Sequence, residues 1–142
     1  MNRTTTKPAR TKKPARTKKL SKAKKLSADI DEVVSCVDDC IGMLQFMTKF
    51  KICSLDTNIS NKSFDINCNM EGYDDGFVVV NVGYSGGRYI ARLEYNGDDN
   101  DRDIIGDMIS VEDKSSIIEY LQAFVGYIEQ KIRRATRGSR IW

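Results

Sequence analysis

Apolar and polar positions divide the chain into two helical stretches that flank a set of alternating segments. Apolar residues recur at helical spacing from Ile30 to Met47, and a second stripe of the same period runs from Ile117 to Ile132. Between them, "SFDINCNM" (63–70) alternates strictly between apolar and polar residues, as a strand with one buried face does. The pattern therefore predicts a helix, a sheet and a second helix.

The first helix is predicted to begin at Ser27, because serine favours the N-cap and acids in the following turn suit the helix dipole. It is expected to run to about Lys49. Its last turns are rich in large apolar residues, so we expect that end to be deeply packed. These residues are Met43, Phe46, Met47 and Phe50.

Further strands are predicted from the middle of the chain. "GFVVVNV" (76–82) is apolar on both faces and predicts a central strand, and "RYIARLEY" (88–95) predicts another one-sided strand. "KICSLDT" (51–57) is a weaker candidate. "DIIGDMIS" (103–110) fits either a strand or a short helix.

Glycine and aspartate in "DDG" (74–76) and "SGG" (85–87) supply the residues that tight hairpin turns require. The second helix is predicted over about 112–134, with acids at its start and basic residues at its end. The predicted fold class is α+β, a two-layer domain of helix, antiparallel meander of three to four strands, and helix. A disordered basic N-terminal tail precedes it.

Charge is sorted by position along the chain. Residues 1–27 carry eleven Lys or Arg and no acid, and 131–142 carry five more without an acid. All twenty acids lie in 28–130 against seven basic residues, which gives that segment a net charge of 7 − 20 = −13. We divide the chain into a basic tail (1–27), an acidic α+β domain (28–134) and a basic C-terminal end (135–142).

The basic tail opens with a near-perfect tandem repeat, "KPARTKKPARTKK" (7–19). It holds too few apolar residues to offset its conformational entropy, and its like charges repel, so we expect it to be disordered alone. In composition it resembles the lysine-rich tails of linker histones, and "ARTK" is similar to the start of a core-histone tail. This resemblance spans some twenty low-complexity residues and assigns no family.

An acid-free polycation is expected to bind a polyanion. Lys and Arg that neutralise phosphates release condensed counterions, which gives sequence-independent affinity that falls with salt. If about half of the eleven basic residues engage phosphates, the log–log salt slope is roughly −5. The predicted nucleic-acid-binding residues are Lys7, Arg10, Lys12, Lys13, Arg16, Lys18, Lys19, Lys22, Lys24, Lys25, Arg133, Arg134, Arg137 and Arg140.

The same tail composition permits other interpretations. Clusters such as Lys12-Lys13 and Lys22 to Lys25 fit a nuclear import signal, and an anionic membrane surface is a third candidate. No apolar run approaches the roughly 20 residues needed to span a bilayer, and no secretory signal is present. We expect an intracellular protein, nuclear or nucleoid-associated and otherwise cytoplasmic.

The sequence offers little catalytic chemistry, because it contains no histidine. Its cysteines, at 36, 40, 53 and 68, lack the C-x2-C spacing of zinc knuckles, so we interpret them as reduced core residues. Asp99, Asp101 and Asp103 mimic the first positions of a calcium loop, but Ile104 stands where that loop requires glycine. We predict a solvated acidic loop over a metal site; a third possibility is an acidic edge that receives a basic partner or the protein's own tail.

The sequence thus predicts a non-enzymatic nucleic-acid-associated protein with no cofactor. The basic ends would bind phosphates without sequence specificity, and the acidic domain would contact other proteins or self-associate. DNA packaging, a viral or chromatin-like accessory role and an RNA–protein assembly all fit. The alternative is a protein-binding adaptor or inhibitor whose tail is only a targeting arm, and a carboxylate-dependent metal enzyme is a third hypothesis.

Overall fold

The computed structural model describes residues 2–73, 75–97 and 105–140, with side chains from 24–73, 75–97 and 108–134. Two helices and five strands make up this part of the chain. They are α1 (Asn2–Thr48), β1 (Lys51–Ile59), β2 (Phe64–Glu71), β3 (Phe77–Ser85), β4 (Arg88–Asn96), β5 (Ile105–Val111) and α2 (Lys114–Arg140).

The strands form one antiparallel sheet in the order β1-β2-β3-β4-β5, so each strand pairs with its neighbour in sequence. The β3–β4 connection is a two-residue turn with Gly86 at φ 61° and Gly87 at φ 85°, a left-handed geometry that the absence of a Cβ permits. The predicted α+β meander is confirmed, with five strands. The ambiguous segment before α2 is a strand, because Tyr89 to Tyr95 of β4 pair with Val111 to Ile105.

Both helices pack on one face of the sheet and enclose the core. The strictly alternating burial of β2 and β4 places every second side chain under the helices. A fully buried Leu or Ile contributes roughly 1.5–3 kcal/mol relative to an exposed one. The largest fully buried side chains are Ile30, Leu44, Ile66, Met70, Leu93, Ile117, Leu121 and Ile128.

The two helices run parallel, because the chain reverses direction at every connection and five strands separate them. Lys114 at the start of α2 contacts Asp29 of α1 at 3.2 Å and Glu32 at 3.0 Å. The start of the acidic half of α1 therefore lies beside the start of α2. We call this the Lys114 end of the domain.

At the other end, Phe50 follows α1 and packs over the β2–β3 turn. Its ring occupies the space that a Cβ on Gly72 would fill, and it also closes over Gly76. Asn96 donates a hydrogen bond from Nδ2 to the carbonyl of Asp75 at 3.2 Å, which ties the end of β4 to the same turn. We call this the Phe50 end.

Helix α1 begins at Asn2 in the structure, so the predicted start at Ser27 is wrong. Ser27 lies inside the helix, and Leu26 already packs against the core. Lys, Arg and Ala have high helix propensity, which favours continuation of the helix toward the N-terminus, whereas Pro8 and Pro14 each remove a backbone donor. The disorder of 1–27 in isolation stays a prediction.

Helix α1 ends in a local cap. Lys49 takes the left-handed conformation with φ 59° and donates its backbone N–H to the Gln45 carbonyl at 3.0 Å. The Thr48 hydroxyl bonds the Leu44 carbonyl at 2.6 Å and accepts from the Phe50 amide at 3.1 Å. These bonds satisfy orphan groups of the last turn and turn the chain toward β1.

The prediction of a deeply packed end of α1 is wrong for two of its four residues. Phe46 is 83% exposed and Met43 is 48% exposed, whereas Phe50 is buried. The physical reason is helical phase: Leu44 faces the sheet, so Met43 and Phe46 point away from it. The prediction counted Met43 and Phe46 as part of the buried stripe of α1 because both residues are large and apolar.

Asp113 caps the start of α2. Its carboxylate accepts a hydrogen bond from the Ser116 backbone amide at 3.3 Å and one from the Ser116 hydroxyl at 2.8 Å. Helix α2 therefore begins at Lys114, the residue after Asp113 and two residues after the predicted start. It continues to Arg140, six residues beyond the predicted end.

Candidate nucleic-acid interface

The basic N-terminal arm lies on α1, upstream of the Lys114 end. Lys24 and Lys25 are the predicted arm residues whose side chains are described, and both are exposed. Leu26, the next residue, packs against the core. The polycation therefore ends where the packed domain starts. Other predicted arm residues share the α1 backbone, with side chains outside the described set: Lys7, Arg10, Lys12, Lys13, Arg16, Lys18, Lys19 and Lys22.

The basic C-terminal end is the last part of α2. Lys131 stacks over the Tyr127 ring, with its Nζ 5.5 Å from the ring centroid. Arg133 lies 3.7 Å from the Glu129 carboxylate one turn earlier and remains 69% exposed. Arg134 is exposed as well. Arg137 and Arg140 lie on the last turns of α2, and their side chains are outside the described set.

The fold does not bring the two basic segments together. The arm enters the domain at the Lys114 end, and α2 carries Arg133 and Arg134 toward the Phe50 end. At 1.5 Å per residue, the twenty residues from Lys114 to Arg134 span about 30 Å. Each basic segment therefore presents its charge separately.

Between the basic segments, the outer surface of the helix pair is acidic. From residue 28 to 48 and from 115 to 130 the helices carry no Lys or Arg. Exposed or half-exposed carboxylates occupy this surface, which we call the acidic helix face. It comprises Asp31, Glu32, Asp38, Asp39, Glu119 and Glu129.

Lys114 marks the edge of the acidic helix face. Its Nζ donates hydrogen bonds to Glu32 and to Asp29, and these two bonds raise the pKa of Lys114 above its ordinary 10.5. The contact joins the starts of two parallel helices that lie 82 to 85 residues apart in sequence. It therefore fixes which turn of α1 lies beside the first turn of α2.

A groove of about 650 Å³ runs between α1 and α2 within the acidic helix face. Its apolar lining includes Met43, Ile118 and Val125. Glu32, Asp39 and Glu129 supply carboxylates along it, and a Cβ built on Gly126 would meet nothing within 4 Å. The sequence pattern does not predict this groove, although Gly126 inside a helix is a trace of it in the sequence.

Two cysteines line the same groove. Cys36 and Cys40 lie one helical turn apart on α1; burial raises the pKa of both thiols, that of Cys40 to about 12. Cys68 is buried under the helices, which confirms the predicted core role for it and for Cys40. Cys53 is exposed, so the core prediction is wrong there. It lies on the edge strand β1 at an irregularity between Ile52 and Ser54, where little covers the strand.

The outer face of the sheet carries mixed charge. Arg88 pairs with Glu112 at 2.9 Å, and Arg92 pairs with Glu94 at 2.9 Å. Its two arginines are thus already matched by carboxylates. A shallow hollow of about 360 Å³ lies beside Arg92, and Asn81 Oδ1 is buried there without a hydrogen-bond partner among the described residues.

The acidic candidates Asp99, Asp101 and Asp103 lie outside the described residues. The β2–β3 turn adjoins the end of β4, because Asn96 Nδ2 donates a hydrogen bond to the Asp75 carbonyl. In the described part of the chain, no group of three or more His, Cys, Asp or Glu residues is placed to hold a metal ion. Within those same residues, neither helix has a stretch apolar enough to cross a membrane.

No protein-family model matches the chain, and comparisons with curated proteins and with solved structures find no significant match.

Proposed function

We propose that the protein is a non-enzymatic nucleic-acid-associated protein. The N-terminal arm and the C-terminal arginines hold the phosphate backbone, and the acidic domain contacts other proteins or copies of itself. One observation carries this proposal: sixteen of the 23 basic residues lie in two acid-free terminal segments. Counterion release from phosphates is the physical interaction that such segments favour.

The exposure of the described basic residues supports the proposal. Lys24, Lys25 and Arg134 face solvent at the junctions between the basic segments and the domain. The acidic helix face repels phosphate, so on the helix side contact is confined to the two segments. Binding of this kind positions the protein on a polymer without reading sequence. A nuclear or nucleoid location belongs to the same proposal.

Binding to duplex DNA and duplex RNA across a salt series tests the proposal. The full-length protein is compared with a variant in which the eleven basic residues of 1–27 are replaced by Gln. We expect the wild-type affinity to fall steeply with salt, with a log–log slope of roughly −5, and the variant to lose most of that slope. Equal affinities and slopes for the two proteins would overturn the proposal.

The groove favours a second candidate function, a protein-binding adaptor whose arm is a targeting segment. An apolar floor with carboxylates along it suits a basic amphipathic helix of a partner. Gly126→Leu places a side chain in the groove, whereas Gly42→Leu adds the same side chain at an exposed helical position outside it. For an adaptor, Gly126→Leu abolishes capture of the partner, Gly42→Leu preserves it, and added nucleic acid changes neither result.

A further inference from the structure

The two basic segments lie at opposite ends of the domain because α1 and α2 are parallel. Lys25 precedes Asp29 by four residues, which adds about 6 Å of helix beyond the Lys114 end. Lys114 to Arg134 adds about 30 Å in the other direction. Exposed basic groups at Lys25 and Arg134 are therefore on the order of 35 Å apart along the helix axes.

A single duplex that contacted both segments would have to lie along the surface between them. On the helix side it would meet the acidic helix face, where no Lys or Arg occurs from 28 to 48 or from 115 to 130. The six carboxylates of this face repel the phosphates of a duplex that lies within a Debye length of them, about 8 Å at physiological salt. This side is therefore closed to a polyanion.

The sheet side offers no better path. Arg88 and Arg92 are the arginines of its outer face, and each lies 2.9 Å from a carboxylate. Asp65 is exposed on the same face. A duplex laid across Arg88 and Arg92 would have to displace Glu112 and Glu94 from them before it gained phosphate contacts there.

We propose that the protein bridges two separate nucleic-acid duplexes, one held by the N-terminal arm and the other by the C-terminal end of α2. The inference rests on the proposed function and extends it from binding to bridging. Residues 1–27 carry eleven basic residues and residues 131–142 carry five, so the arm binds first and more tightly. The acidic domain acts as a spacer that keeps the duplexes apart.

A two-duplex capture assay with the full-length protein tests bridging. One duplex is immobilised, protein is added at low salt, and retention of a second, fluorescent duplex is measured, with DNA and RNA duplexes in separate arms. In the test variant, Arg133, Arg134, Arg137 and Arg140 are changed to Gln. In the matched control, Lys49, Lys51, Lys62 and Arg102 are changed to Gln, so the same number of charges is removed from outside both basic segments.

Bridging predicts that wild type and control retain the second duplex, whereas the test variant binds the first duplex but loses capture of the second by at least about tenfold, the scale of several lost phosphate contacts. Equal capture by the test variant would overturn bridging. So would a wild-type complex that never holds more than one duplex. Failure of the wild type to bind even the immobilised duplex would instead overturn the proposed function.

Discussion

Lys114 Nζ lies 3.2 Å from Asp29 Oδ1, so the first turn of α2 is fixed beside the turn of α1 where the core begins. The same Nζ lies 3.0 Å from a Glu32 carboxylate oxygen. The contact marks the register of the two helices, and their parallel direction places the basic segments at opposite ends of the domain.

Lys114→Met is expected to lower the free energy of unfolding by a small amount, because the pair is partly exposed and solvent screens it. Both hydrogen bonds raise the pKa of Lys114, so its contribution is fully present below pH 10.5 and is lost as pH rises through the higher folded-state value. Denaturant unfolding of wild type and variant at pH 8 and above pH 11 measures how the contribution of Lys114 to the free energy of unfolding changes with pH.

Lys62→Met in the exposed β1–β2 turn is the control for that comparison, because it removes a lysine outside the contact between the helices. If wild type and Lys114→Met differed in free energy of unfolding by the same amount above pH 11 as at pH 8, the charge of Lys114 would not be what stabilises the contact.

Gly72→Ala is expected to destabilise the protein by about 1–3 kcal/mol, the usual cost of overpacking. A Cβ at this position would stand inside the Phe50 ring that closes the Phe50 end. Gly42→Ala is the matched control: it lies in the exposed interior of α1 with nothing within 4 Å of a built Cβ. We expect it to stabilise by about 0.5–1 kcal/mol through helix propensity.

Chemical denaturation of both glycine variants provides the measurement. Similar effects at the two positions would show that Phe50 moves aside without cost. A Phe50→Ala, Gly72→Ala double variant then reports whether the two residues are coupled.

Three of the four cysteines are expected to separate by reactivity at pH 8. Cys53 is exposed and should react with a thiol reagent within the native protein. Cys40 and Cys68 are buried, and burial raises both of their pKa values, so they should react only on unfolding. Mass spectrometry of timed alkylation measures the order, and Cys53→Ser removes the fast phase. Native labelling of Cys40 ahead of Cys53 would contradict the packing of the helix pair.

A peptide of residues 1–27 is expected to show little helix by circular dichroism in dilute buffer. Pro8 and Pro14 each cost about 3 kcal/mol in a helix interior, and the eleven positive charges repel. Short duplex DNA should change the spectrum by screening that repulsion, and an eleven-Gln peptide serves as the control. A strongly helical free peptide would contradict the predicted disorder and leave α1 as an autonomous rod.

Sequence pattern predicted the parts of the fold whose burial is one-sided. Apolar and polar residues alternate from Phe64 to Met70 because the helices bury every second side chain of β2. The sequence pattern therefore predicts which face of the strand is buried. β1 is an edge strand with Ile52 its only half-buried residue, so nothing imposes alternation and its signal was weak. Leu55 and Ile59 are about half exposed for the same reason.

The candidate site was predictable as composition and not as geometry. The basic residues of both terminal segments are identified from the sequence alone, without knowledge of which residues lie near them in the fold. The groove along Gly126 requires the spacing between two helices that lie far apart in sequence, which no local pattern contains. Phe46 shows the same limit, since a phenylalanine at the outer phase of α1 resembles a core residue until the sheet is placed.

The meander has a consequence for how the chain acquires its structure. Since every strand pairs with the one before it in sequence, the sheet grows by closing short hairpins, and small closures carry little entropic cost. Docking of α2 against α1 is the one long closure, across 82 residues at Glu32 and Lys114. Proteins dominated by local contacts fold fast. A ribosome-bound chain can thus assemble its sheet progressively, and only the arrival of α2 seals the core.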